Sequence, residues 1–180
     1  YIKTTAHNFV SRAAVVERPS KVELKGKSVL QPGVRVRGDL AIIRMGRYCW
    51  IGENSLILPP ALAGGGENAS GSGGNVGHSN VILRGHVFMG DNCHSEATAI
   101  GTNVYIGRNC RLGKRVIIKD CCWIQDGTVI GDDTVIPPFS RVEGNGCNIT
   151  EELPPSAATD LQKLTQEIYQ QFVSSNPVTS

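Results

Sequence analysis

Residues Ile100 to Val142 read IGTNVYIGRNCRLGKRVIIKDCCWIQDGTVIGDDTVIPPFSRV, and an aliphatic side chain returns at every sixth position: Ile100, Ile106, Leu112, Ile118, Ile124, Ile130, Ile136 and Val142. An amphipathic helix repeats at about 3.6 residues and a half-buried strand at about two, so neither accounts for this spacing. A sustained six-residue period predicts a β-helix of hexapeptide repeats. Four places after each of the first seven stands a small or β-branched residue, namely Val104, Cys110, Val116, Cys122, Thr128, Thr134 and Ser140. Both sets are expected to point inward. Glycine follows the aliphatic residue at Gly101, Gly107, Gly113 and Gly131, where tolerance of positive φ would ease a tight corner. Three such sides make one triangular coil, and coils stack at the strand spacing of about 4.8 Å.

The same phase runs upstream through Met45, Ile51 and Ile57, with Cys49 and Ser55 at the small positions, and back to Leu24, Leu30 and Val36. Three surplus residues separate Val36 from Met45, and the step from Ser95 to Ile100 is one residue short, so both breaks should bulge at corners. Tyr1 to Val16 carries β-branched residues without clear phase and reads as a capping strand. Between Ile57 and Leu83 the phase is interrupted by residues 59–80, whose glycine, serine and asparagine suit a mobile loop. After Gly146 the period ends. Leu161, Leu164, Ile168 and Phe172 then share one helical face, and Thr159 with Gln162 resembles a capping box, which predicts a helix from about Asp160 to Val173 packed back along the prism. The expected organisation is a β-helix over residues 1–150, with a flexible insertion at 59–80, and a C-terminal helix and tail over 151–180.

With 180 residues and a formal charge of +2, the chain reads as one domain without a nucleic-acid surface, although Arg108, Arg111, Lys114, Arg115 and Lys119 cluster locally. No signal-peptide pattern and no stretch apolar enough to cross a bilayer occur, so a cytoplasmic location without membrane insertion is expected. Cys49, Cys93, Cys110 and Cys122 fall at small inward positions and read as reduced core thiols. Cys121 is expected to point outward, and Cys147 lies beyond the coil. His7, His78, His86 and His94 are scattered and form no ligand set.

The stretch Val36-Arg37-Gly38-Asp39-Leu40-Ala41 followed by Ile43-Arg44-Met45-Gly46 resembles the signature of γ-class carbonic anhydrases, a family of left-handed β-helices that bind zinc through three histidines across a trimer interface. Carried over by position, the three ligands fall on Leu58, Asp91 and Glu96. Leucine cannot coordinate a metal, and two carboxylates replace imidazoles poorly in a site that must activate water. The resemblance therefore implies the fold without metal or cofactor. It also marks Arg37 and Asp39 as an ion pair, formed either between subunits or within the chain.

Further segments resemble the pointed-end β-helix subunits of dynactin, the subunit-five family: Val10-Ser11-Arg12, Gly46-Arg47 with Cys49, Pro59-Pro60, His86-Val87-Phe88, Asn109-Cys110, Lys119-Asp120-Cys121-Cys122, Pro137-Pro138-Phe139 and Glu152-Leu153-Pro154. Lys-Asp-Cys-Cys within a hexad register is more specific than the hexads. The resemblance implies a non-catalytic cytoskeletal subunit that supports dynein attachment to cargo adaptors, endosomal ones included. Its implied partners are a second β-helix subunit, an actin-related pointed-end subunit, other dynactin components and the adaptors. Tyr48, Trp50, Tyr105 and Trp123 occupy outward positions and join Arg37 and Asp39 as interface candidates. An enzyme of the hexapeptide acyltransferase or γ-class carbonic anhydrase kind is the alternative, with His86 or His94 as a possible general base.

Overall fold

A computed structural model describes residues 1–63 and 77–177; residues 64–76, which hold most of the expected mobile loop, and 178–180 lie outside the described residues. Short parallel strands wind into three flat faces. The first face stacks Phe9–Val10, Val29–Leu30, Trp50–Ile51, the ends of Val81–Met89 and Ala99–Ile106, then Trp123–Ile124 and Ser140–Glu143. The second carries Val15–Glu17, Arg35–Arg37, Leu56–Ile57, His94–Ser95, Arg111–Leu112 and Val129–Ile130. On the third lie Val22–Leu24, Ile43–Met45, the starts of Val81–Met89 and Ala99–Ile106, Ile117–Ile118 and Val135–Ile136.

The six-residue phase sets what is inside. None of the eight aliphatic residues from Ile100 to Val142 is more than 2 % exposed, and Met45, Ile51, Ile57, Leu83 and Met89 are equally buried. Each such side chain contributes roughly 1.5–3 kcal/mol on leaving water. The coil begins earlier than Leu24, because Phe9–Val10 and Val15–Glu17 are already rungs. Only Ile2–Lys3 acts as a cap, pairing antiparallel with Phe9–Val10. At the other end Asn148–Glu152 turns back antiparallel on Ser140–Glu143.

The glycines that follow the aliphatic residues do a different job from the one expected. Gly101, Gly107 and Gly113 are not in the positive-φ region; that conformation falls two residues later, at Asn103 (φ 59°), Asn109 (57°) and Arg115 (62°). What requires glycine is the next coil. The Asp120, Asp126 and Asp132 carboxylates reach down into the space where a β-carbon would stand and accept the N–H groups of Thr102, Arg108 and Lys114 at 2.8, 2.9 and 2.8 Å. Asp91 does the same over Gly52, accepting the Glu53 N–H at 2.8 Å.

Two further expectations need correction. Cys121 is buried rather than outward, at 5 % exposure. It takes the left-handed conformation at its corner (φ 58°), and its backbone N–H donates to the Thr102 carbonyl of the preceding coil at 2.9 Å. The helix runs over Ala157–Ser175 and is capped at Ser156, with no side-chain cap, so Thr159 lies inside it and forms no capping box. Ala157 and Ala158 favour helix strongly enough to start it earlier, and Asp160 sits favourably in its first turn. The helix packs on the prism through Ala157, Leu161, Thr165 and Phe172. Leu164 and Ile168 are only half-buried.

At the base of the insertion Ala61 and His78 form an antiparallel bridge, with the Leu62 N–H donating to the Gly77 carbonyl at 2.9 Å. Arg115 holds this neck to the coil: Nη1 donates to the Ala61 carbonyl at 2.9 Å while the guanidinium also grips Asp133. The basic residues clustered in sequence from Arg108 to Lys119 are thus distributed around one coil and form no single patch.

Candidate functional site

Parallel stacking turns one outward position per coil into a column. On the first face this aligns Trp50, Phe88, Tyr105 and Trp123, whose rings stack at 6.2, 5.0 and 3.9 Å between centroids with interplanar angles of 15°, 4° and 16°. Each such pair contributes about 0.5–1.5 kcal/mol beyond area burial. The ladder ends on polar groups. Trp123 Nε1 donates to Gln125 Oε1 at 3.2 Å, and Arg141 Nη2 donates to the same oxygen at 3.3 Å.

The C-terminal helix covers the beginning of this face. Phe172 presents its edge to Tyr1, Phe9 and Trp50 at 4.9, 5.4 and 5.6 Å. Tyr169 meets Tyr48 edge-on at 5.6 Å and donates its hydroxyl to the His7 carbonyl at 2.8 Å. Among the described residues, no ring of the helix touches Tyr105 or Trp123. The four aromatic candidates therefore divide: Tyr48 and Trp50 meet rings of the helix, while Tyr105 and Trp123 stack on each other and stay half-exposed.

His86 belongs to the helix attachment. Its ring stacks on Tyr48 at 5.0 Å, and Nδ1 lies 2.8 Å from Thr165 Oγ1. The Thr165 hydroxyl already donates to the Gln162 carbonyl at 2.9 Å, so its oxygen must accept and the imidazole carries its proton on Nδ1. Burial pushes the His86 pKa below its ordinary value. A neutral ring with its donor engaged in packing suits a structural fastening.

On the second face Arg37 donates through Nε and Nη2 to the two Asp39 oxygens, each at 2.9 Å, and also contacts Glu17, which accepts from Arg35 at 2.6 Å. The guanidinium holds the Asp39 carboxyl well below the usual carboxylate range. The pair is made within the chain.

The three positions that correspond to zinc ligands do not assemble a donor set. Leu58 and Glu96 are neighbours in adjacent coils, as Ile57 pairs with Ser95, but Leu58 has no donor atom. Asp91 sits at the preceding corner with its carboxylate occupied by the Glu53 N–H. Glu96 Oε1 lies 3.2 Å from His94 Nε2. Among the described residues no three His, Cys, Asp or Glu side chains gather as a metal site requires. The buried thiols are also engaged: Cys93, Cys110 and Cys122 donate to the carbonyls of Gly107, Gln125 and Pro137 in the next coil, at 3.0, 3.1 and 3.2 Å.

Sequence phase missed Phe88, Thr165 and Tyr169. Phe88 could have been found from its place one residue before Met89, the same offset that Trp50, Tyr105 and Trp123 have from Ile51, Ile106 and Ile124. Thr165 was hidden because a hydroxyl does not register in an apolar stripe.

A family model described as "Dynactin subunit 5" matches residues 1–178. The chain is similar to the dynactin subunit 5 of Dictyostelium discoideum, with 36% identity over 179 residues that cover 99% of this chain and 86% of the relative. Among solved structures it is similar to a hexapeptide transferase family protein from Anaplasma phagocytophilum, with a TM-score of 0.68 and 15% identity, covering 97% of this chain and 95% of the other. At that identity the likeness carries the fold alone, a left-handed parallel β-helix.

Proposed function

The chain belongs to the dynactin subunit 5 family, and from that membership we propose that it is a non-catalytic subunit of the dynactin pointed-end complex that supports dynein attachment to cargo adaptors, endosomal ones included, by protein–protein binding. Its partners in this reading are a second β-helix subunit, the actin-related pointed-end subunit, other dynactin components and the adaptors. Its place is the cytoskeleton of the cytoplasm. The observation that carries the reading is the family match over residues 1–178.

The physical character of the molecule suits attachment. A stack of parallel coils is stiff, and each face presents side chains in fixed columns, so a partner meets a ruled surface rather than a mobile one. Tyr105 and Trp123 offer large amphipathic rings at low conformational cost. Arg37 and Asp39, satisfied against each other within the chain, would join an interface only as a preformed pair. No described helix is long and apolar enough to cross a membrane.

The test is to mix the purified chain with the second β-helix subunit and measure mass across a gel-filtration peak. A stoichiometric heteromer is expected; separate elution of the two subunits contradicts the reading. One observation favours the enzyme alternative, the 3.2 Å contact between His94 and Glu96, because a carboxylate can orient an imidazole base. Acyl transfer from an acyl thioester that disappears in a His94→Ala variant would carry that alternative instead.

A further inference from the structure

The third face carries two columns that the aromatic ladder and the helix leave uncovered. In register from coil to coil, its outward positions are Glu23, Arg44, Ile82, Ala99, Ile117 and Val135. The last four are apolar and form a continuous ladder, at whose end Val135 is 53% exposed.

One residue beyond the inward positions runs the second column: Lys25, Gly46, Arg84, Gly101, Lys119 and Pro137. Cations alternate with residues that have little or no side chain, so every charged arm stands beside a gap. A concavity of about 230 Å³ opens there between Lys25, Gly46 and Arg84. A second, of about 210 Å³, lies across Ile82 beside Asn80 and Ala99. Among the described residues Lys25, Arg84 and Lys119 are exposed and make no salt bridge. The acids nearby are already engaged: Glu23 by Arg44 at 3.3 Å, and Asp120 by the Thr102 N–H at 2.8 Å.

We infer that this face binds an acidic amphipathic α-helix of a partner protein, laid along the prism axis. The inference rests on the reading that the chain acts by docking, and it assigns a surface and a partner chemistry to that docking. Charge and spacing both select a helix. Cations recur every second coil, about 9.6 Å apart at the strand spacing. Helical residues seven apart are separated by about 10.5 Å at 1.5 Å per residue, so one acidic residue per heptad can meet successive cations while the apolar seam rides on the ladder. An extended strand fits poorly, because its side chains alternate faces and return to one side about every 6.8 Å.

The test uses a fluorescent three-heptad peptide with leucine at a and d and glutamate at e and g, compared with a peptide carrying lysine at e and g. The glutamate peptide should bind the full chain at low salt and the lysine peptide should not. Binding should weaken by about tenfold or more in the combined Lys25→Glu, Arg84→Glu and Lys119→Glu variant, and should weaken as well in Ile117→Asp. Val15→Ala, on the second face and 52% exposed, should leave it unchanged, and circular dichroism melts establish that each variant folds. Equal affinity for the two peptides, no binding of the glutamate peptide, or full affinity in the folded charge variant overturns the inference. If the wild-type chain still assembles with dynactin components while the peptide result fails, this surface assignment falls and the functional reading stands. If the chain joins no dynactin component, the functional reading itself falls.

Discussion

A β-carbon on Gly113 would stand 2.6 Å from the Oδ1 atom of Asp132, which accepts the Lys114 backbone N–H at 2.8 Å. The carboxylate of one coil braces the corner of the coil before it, and glycine is the only residue that leaves room. Gly113→Ala should therefore cost about 1–3 kcal/mol, the usual range for overpacking. The Asp132 backbone N and the Gly131 carbonyl carbon would stand at 2.7 and 2.8 Å as well, so adding Asp132→Ala relieves only the side-chain part of the clash: the double variant should be less destabilised than the sum of the singles, yet less stable than Asp132→Ala alone. Chemical denaturation of the four proteins checks this; strict additivity would contradict the brace.

Phe172 anchors the helix by its contacts with Tyr1, Phe9 and Trp50. Phe172→Ala should destabilise the docked helix by about 3 kcal/mol or more. Amide exchange should accelerate across Ala157–Ser175 while the inward rungs near Ile106 and Ile124 remain protected. Uniform loss of protection would mean that helix and prism unfold as one unit.

The six-residue phase made the prism legible because inward residues recur along the chain. Ile118 and Cys122 were placed correctly by that rule. What the phase cannot register is a relation between coils: Gly107 and Asp126 are partners only because one coil plus one residue separates them, a spacing outside a six-residue window. Cys121 was misplaced for a related reason, since the count fixes the two inward positions of each hexad and does not register what a left-handed corner buries, and Cys121 at such a corner is 5 % exposed. Thr159 looked like a cap because its local pattern fitted, but Ala157 and Ala158 extend the helix past it. The aromatic column was half visible: Trp50, Tyr105 and Trp123 were read as outward, yet only stacking in register brought Phe88 between them. The Arg37–Asp39 pair was legible as a pair, and the structure closes it within the chain.

His86 links stability of the docked helix to pH. Burial lowers its folded-state pKa beneath the unfolded value of about 6.5. The stabilisation it gives is therefore complete above about pH 6.5 and is lost as pH falls through the folded value, because the unfolded state binds the proton more readily. A His86→Asn variant, suited to the left-handed backbone there (φ 51°), should show a flatter melting profile between about pH 7 and 5 than the wild type. Identical profiles would remove His86 from the account.

Burial pushes the Cys49 thiol up to about 12 and the Cys122 thiol up to about 11. Thiols held protonated inside the coil should resist alkylation in the native state, whereas the half-buried Cys147 should react first. Mass spectrometry after brief iodoacetamide treatment gives the order. Early modification of Cys49 or Cys122 would mean that the prism opens far more readily than its packing implies.

Affinity purification of the tagged chain from cells, followed by sedimentation and mass spectrometry of what travels with it, reads out directly whether the chain belongs to the dynactin complex. The chain is expected to sediment in a large assembly with a second β-helix subunit, an actin-related subunit and other dynactin components. Recovery instead as a free homotrimer that holds stoichiometric zinc, or turns over an acyl thioester, would contradict that expectation.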